Sequence, residues 1–462
     1  MRRRVRILLH CDDRRRDSVT MSMLAFCLKG MGHDVRLCNR VTLRKYDPVF
    51  DPDLIVLSHS FMYGGGPDDL ARKARRAKIL ILPTEGAILG RGQGLTSYSG
   101  QPIDAPRENR QALTRYVSKI FVWGDATRRF LIEEGIYQDH QVMVVGCPRF
   151  DLYRSPLFRE IRLRNVSARR VGVVGVFQAI NIFDQRNHLL TIDQLRHSQR
   201  IYYDEDKNLE DYFWWQYANF RLTLDLVEEA ILRRGMSVYY RPHPNEHINS
   251  YQFLQARLGS SFRLERGDTP FFSWLAQVPA LVITNSTTAV EAFITSTPAI
   301  SLQSMLGESL DRHMNLPDWC HPMLQYCRNP KSVGEAVDLI EMAVAGNLEP
   351  TDINIPSVAQ FLRDFYDWPR VELSMVSVVR EIDRMAREEL GGQTSRNVLD
   401  PYRVGTGAVL LLMNAFMFFW YGVRGGSVHR HSHFYPWHQA DIKLASQLYR
   451  QLTPRIGELV TQ

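Results

Sequence analysis

Ser237-Val238-Tyr239-Tyr240-Arg241-Pro242-His243-Pro244-Asn245-Glu246 is the stretch from which the fold is read. It opens as a run of β-branched and aromatic residues of the kind that fills a buried strand. It then meets two prolines flanking His243. Each ring fixes φ and removes an N–H, so the strand stops and no helix starts until both are passed. About forty residues on, a second apolar run, 280–284, is followed by Asn285-Ser286-Thr287-Thr288-Ala289-Val290-Glu291. In both places polar side chains stand just past the C-terminal end of a predicted strand, where open α/β sheets bind their ligands.

The same alternation of short apolar runs and helical stretches extends in both directions. Toward the N-terminus, runs at 5–9, 35–38, 54–58, 79–82, 120–123 and 142–145 predict parallel strands. Between the first two lies a predicted helix on which Met21, Leu24 and Leu28 share one face, capped by Asp17 and Ser18 and ending at Gly30 or Gly32. An arginine-rich segment up to about residue 170 separates this series from a second. There, strands are predicted at 171–176, 237–240, 280–284 and 299–302, with helices at 209–234, from 250, at 271–276 and at 287–295. The chain therefore reads as α/β: two tandem Rossmann-like domains, 1–155 and 156–370, with a mostly helical extension over 371–462. Inside that extension 407–423 is almost wholly apolar, but Asn414 near its centre and basic residues on both sides favour a buried helix over one touching or crossing a membrane.

A chain of 462 residues, 45% hydrophobic and 23% charged, is globular in composition, which excludes a disordered one. The net charge of +7 gathers in Arg2-Arg3-Arg4, Arg14-Arg15-Arg16 and Arg72-Lys73-Ala74-Arg75-Arg76. Such clusters suit an anionic membrane face, an acidic polysaccharide or a phosphorylated ligand. Nucleic acid is not expected, because no aromatic–basic recognition pattern accompanies them. The six cysteines show no CxxC spacing and the N-terminus has no secretory apolar core, so a reducing cytoplasm is expected, with peripheral contact on the inner face of the membrane. His429-Arg430-His431-Ser432-His433 lacks the carboxylate or cysteine spacing of a metal site, and neither metal nor cofactor is expected. Gly64-Gly65-Gly66 lacks the Lys-Ser/Thr of a P-loop and reads as a turn.

The candidate chemistry follows from where the polar residues fall. His243, stiffened between Pro242 and Pro244, can hydrogen-bond a phosphate oxygen and, when protonated, stabilise a departing nucleotide. Arg241 would add to its charge or pair with Glu246. Ser286, Thr287 and Thr288 offer hydroxyls and N–H groups at a helix start, suited to phosphate, with Glu291 placed for a ribose hydroxyl. The competing reading is a helix cap with no ligand. In the first domain Pro83-Thr84-Glu85-Gly86 follows a strand, so Glu85 is the preferred general base for a hydroxyl group and Asp17 the second candidate.

These residues resemble the bacterial surface carbohydrate biosynthesis proteins and share features with the wider group of GT-B capsule enzymes, including Kdo transferases, polysialyltransferases and glycerophosphotransferases. The resemblance is carried by Arg16-Asp17, Gly32-His33-Asp34-Val35, Glu85-Gly86, Val122-Trp123-Gly124, Gly146-Cys147-Pro148-Arg149-Phe150-Asp151, Arg241-Pro242-His243-Pro244 and Ser286-Thr287-Thr288-Ala289-Val290-Glu291-Ala292. It implies a GT-B fold with the donor nucleotide held mostly by the C-terminal domain. It also implies a metal-independent, inverting glycosyltransferase that uses a nucleotide-sugar donor, CMP-linked being favoured, and a glycan or lipid-linked glycan acceptor. By the same resemblance His243, Pro244, Ser286 and Thr287 bind and activate the donor. The alternatives are a sugar-nucleotide epimerase, a polyol-phosphate transferase of the same fold, or a non-catalytic scaffold of the surface-glycan machinery.

Overall fold

In the computed structural model of the chain the described residues are 4–12, 14–39, 42–60, 66–87, 91–101, 105–165, 168–177, 180–181, 209–243, 246–265, 269–308, 321–388 and 442–451. They fall into two units. One holds the chain to Leu152 and again from Arg363 onward; the other is Tyr153–Leu362.

The first unit is built on a six-stranded parallel sheet: β1 (Arg6–Cys11), β2 (Asp34–Asn39), β3 (Leu54–Leu57), β4 (Lys78–Ile81), β5 (Lys119–Val122) and β6 (Val142–Val144), in the order β2-β1-β3-β4-β5-β6. Ile7, Leu8 and Leu9 of β1 and Leu54, Ile55 and Val56 of β3 are wholly buried. Helices cover both faces of such a sheet, which is why its central strands read as unbroken apolar runs. The helix after β1 is Arg14–Gly30, so it begins before the expected cap, and Asp17 lies within its first turn. An acidic side chain there still complements the positive end of the helix.

The chain returns to this unit through the helix Ser374–Glu388. Asp151 accepts hydrogen bonds from the backbone N–H groups of Ser374 (3.1 Å) and Met375 (2.7 Å), satisfying two donors that a helix start leaves open. Gly146 is left-handed at φ +78°, and a Cβ there would stand 2.5 Å from the Ser374 hydroxyl. Phe150 stacks on Tyr366 with ring centroids 5.1 Å apart. The Gly146–Asp151 signature is thus the seat of a helix more than two hundred residues away. The break expected at 370 lies at 362/363, and the described chain beyond it belongs to the first unit. The apolar stretch 407–423, the histidines of 429–433, Cys320 and Gly64-Gly65 lie outside the described residues. Among the described residues no helix is long and apolar enough to cross a membrane. Lys73 is buried in an ion pair with Asp47, and Arg76 lies 3.4 Å from Asp51, so part of one basic cluster is used in packing.

The second unit carries β7 (Arg170–Val174), β8 (Ser237–Arg241), β9 (Phe262–Leu264), β10 (Leu281–Ile283) and β11 (Ala299–Ser301), parallel throughout, in the order β11-β10-β7-β8-β9. Strand β9 was not expected, because Phe-Arg-Leu with Arg263 exposed gives no apolar run. The helix expected over 209–234 is α-helical through Leu209–Glu228 and closes with a π turn, Glu229–Arg233. Val171, Val173, Val238, Tyr240, Val282 and Ile300 form the core under Leu226 and Val227. Each unit is Rossmann-like. Together with the helical C-terminal region they give the α/β fold of the GT-B type.

Candidate functional site

In the second unit the chain runs from β7 outward to β8 and β9, then returns to the other side of β7 for β10 and β11. The reversal falls between β7 and β10, and the C-terminal strand ends at such a point are where doubly wound sheets take their ligands. The loops after β7, β8 and β10 all reach this edge. Two strand spacings, roughly 10 Å, separate the ends of β8 and β10. His243 and the 285–288 turn therefore border one edge with the β7 loop between them.

His243 is half-buried and is fixed through its backbone: its N–H donates to Glu246 Oε1 at 2.8 Å and its carbonyl accepts from the Glu246 N–H at 3.0 Å. Glu246 was expected to meet Arg241 or the donor. Its described hydrogen bonds go instead to Phe177 N–H (3.0 Å) of the β7 loop, to His243 N–H, and to the Tyr251 hydroxyl. Burial pushes its carboxyl up to about 7, opposed by these hydrogen bonds. The Arg241 guanidinium lies over the rings of Phe271 (5.3 Å) and Trp274 (5.7 Å) and donates to the Thr269 carbonyl at 2.9 Å. It is a buried, stacked cation against the start of the next helix. Pro244 lies outside the described residues.

At the β10 end, Ser286 Oγ accepts from the Thr288 N–H at 3.2 Å and sits 2.7 Å from Thr288 Oγ1. The Ala289 N–H donates to the Ser286 carbonyl and the Val290 N–H to that of Thr287. The first-turn amides 288, 289 and 290 are thus engaged within the turn, although Thr287 makes no side-chain cap bond and Glu291 completes no capping box. What the turn offers a ligand is its hydroxyls, with Thr287 exposed and Ser286 half-buried. Glu291 was expected to reach a ribose. It is buried, as are all of residues 288–293, so the helix is enclosed on every side, and Glu291 Oε1 accepts from the Tyr153 hydroxyl at 2.7 Å. The Asn285 side chain accepts from the His321 N–H at 2.8 Å, and burial lowers the His321 imidazole to about 4, keeping it neutral.

In the first unit the reversal falls between β1 and β3. Arg16 gathers this edge: its guanidinium donates to Glu85 Oε1 at 2.5 Å, to Thr84 Oγ1 at 3.0 Å and to Asp17 Oδ1 at 3.1 Å, and lies 3.7 Å from Asp12. Asp17 and Glu85 are therefore brought into one cluster. Asp17 is buried, while the Glu85 side chain is 63% exposed. A Cβ at Gly86 would stand 2.1 Å from the Trp123 ring, and the Gly86 carbonyl accepts from Thr127 Oγ1 at 2.8 Å. The glycine is a close approach between the β4 and β5 loops.

Two groups escaped the sequence. His59, just past β3, is buried in the field of Asp12, Glu85 and Arg16, and burial lowers its pKa. Its place at the chain reversal was the signal that would have found it. Gln303, past β11, accepts from Trp215 Nε1 (3.2 Å) and donates to Asn219 Oδ1 (2.8 Å) and the Thr284 carbonyl. Trp215 and Asn219 are more than eighty residues away along the chain, and no local pattern announces them. Among the described residues no cluster of His, Cys, Asp or Glu is arranged to hold a metal ion.

No protein-family model and no curated protein matches the chain. Among solved structures it is similar to the wall teichoic acid polymerase TagF, at 10% identity over 83% of this chain and 90% of that one, with a TM-score of 0.50. A variant of the same polymerase gives 9% identity over 84% and 90%, and a TM-score of 0.52. A UDP-GlcNAc 2-epimerase of Methanocaldococcus jannaschii, solved with UDP-GlcNAc and UDP, is 11% identical over 82% and 99%, with a TM-score of 0.43. At such identities the likeness to the polymerase is one of fold.

Proposed function

We propose that the chain is a GT-B-type transferase that moves a sugar from a nucleotide-activated donor, CMP-linked by preference, onto a bacterial surface polysaccharide or its lipid-linked precursor. The observation that carries this reading is the placing of His243 and the hydroxyls of Ser286 and Thr287 on either side of the β7 loop, at the edge where the second sheet reverses. Breaking the bond to the nucleotide leaves negative charge on its phosphate. A protonated imidazole whose backbone is held by Glu246 donates to that oxygen, and neighbouring hydroxyls share the load. Arg241, stacked and buried, supports the strand end and not the ligand, and Glu246 and Glu291 serve the loops from within. In the first unit Glu85 is the proposed base for the acceptor hydroxyl and Asp17 the second candidate. The enzyme works in the cytoplasm and meets the inner membrane face through its arginine clusters.

Polyol-phosphate transfer is the second reading, favoured by the fold likeness to a teichoic acid polymerase. Incubation with CMP-, CDP- and UDP-linked donors and analysis of the products separates the two: sugar transfer from a CMP-linked donor supports the first, and phosphate-containing product from a CDP-linked polyol the second. Isomerised UDP-sugar with no acceptor product would replace both with an epimerase.

A further inference from the structure

Glu246 is 3% exposed, and its two oxygens serve three separate stretches of chain. Oε1 takes the N–H of Phe177, past β7, at 3.0 Å and the N–H of His243, past β8, at 2.8 Å. Tyr251 donates its hydroxyl to Oε2 and accepts from Tyr240 at 3.2 Å. The Asn181 side chain adds a further hydrogen bond from the β7 loop. An ionised carboxylate has about four acceptor positions, and here it meets that many donors. The approach of Tyr240 needs Gly175, where a Cβ would stand 2.2 Å from the Tyr240 oxygen. A carboxylate satisfied on all sides by its own protein does not bind a ligand. What it fixes is the spacing of the two loops that share its Oε1.

We propose that Glu246 is a positioning residue, which ties the β7 loop to the β8 loop through one oxygen and so sets where the His243 imidazole stands. This rests on the reading of His243 as the group that meets the donor phosphate. Gln at 246 keeps the shape and one acceptor oxygen, but turns an N–H₂ toward Tyr251 or toward the two amides, so the loops lose part of their tie.

The test is NMR of the full chain with labelled histidines, the His243 ring assigned by His243→Asn and the ring of His140, in the other unit, serving as reference. In Glu246→Gln the His243 ring signal and its titration move while His140 stays, and affinity for CMP falls about tenfold, as the loss of one oriented hydrogen bond predicts. Tyr251→Phe removes the O–H that steadies Oε2 and the acceptor of the Tyr240 hydroxyl but leaves both amides on Oε1; it moves His243 in the same direction and less, and it carries the test if the glutamine variant does not fold. Unchanged His243 signals in the folded variants overturn the proposal. Should the wild-type chain bind none of CMP, CDP and UDP, the donor reading fails by itself, and the ring signals still decide the role of Glu246.

Discussion

The two sheet edges are organised by opposite means. In the second unit a buried carboxylate is the hub and its partners are two backbone amides, one phenol and a side-chain amide, all away from water. In the first a guanidinium is the hub and its partners are carboxylates and a hydroxyl, one of them, Glu85, largely exposed. The low dielectric around Glu246 makes each of its hydrogen bonds strong and each omission costly. Water around Arg16 and Glu85 screens their attraction to a fraction of that. The first arrangement suits a group that must stay in place through a reaction; the second suits carboxylates that must exchange partners when a substrate hydroxyl arrives.

Substitutions break or sharpen this contrast. The largest expected effect is at His243: replacement by alanine leaves the fold intact and lowers transfer by about a thousandfold, the scale on which a single preorganised donor to a developing oxyanion acts. Next come the carboxylates of the other edge. Glu85→Gln lowers turnover by about a hundredfold if it takes the acceptor proton, and Asp17→Asn does so if that role is its own. The variant that keeps wild-type turnover is excluded as base, and if both keep it while glycan display still depends on the protein, the scaffold alternative stands.

A third effect is one of pH. Burial holds the Glu246 carboxyl at about 7 in the folded chain, whereas an unfolded glutamate titrates near 4.3. Between those values the folded state keeps a proton that the unfolded state has lost, so stability falls as pH rises, by at most about 4 kcal/mol in all. Urea unfolding at several pH values in this window measures the slope, and Glu246→Gln flattens it. A slope that survives the substitution belongs to another group. The smallest effect is at Arg16: alanine there costs about 1 kcal/mol or less at low salt, and the cost shrinks as salt is added. A large, salt-independent loss would show that the two edges are built alike after all.

All the strands but β9 were legible because a parallel sheet covered on both faces leaves residues such as Ile7–Leu9 and Ile79–Leu80 no polar alternative. The prolines around His243 and the hydroxyl run after β10 announced the loops for the same local reasons. What sequence spacing cannot carry is the direction in which a side chain turns once its neighbours are in place. Glu291 sits where a ribose partner would sit on an outward-facing helix, but residues 288–293 are buried and it meets Tyr153. Glu246 lies three residues past His243, and only the fold brings Phe177 and Tyr251 to it. Asp151 and Ser374 are 223 residues apart, so the role of the Gly146–Asp151 signature as a helix seat had no local trace.

Calorimetric titration of the purified chain with CMP, beside His243→Ala and Ser286→Ala, tests the central claim most directly. The account predicts that the wild type binds and that each substitution weakens binding by about tenfold or more, equivalent to about 1.4 kcal/mol. Equal affinity in all three proteins, or a wild-type chain that takes up none of CMP, CDP and UDP, would contradict it.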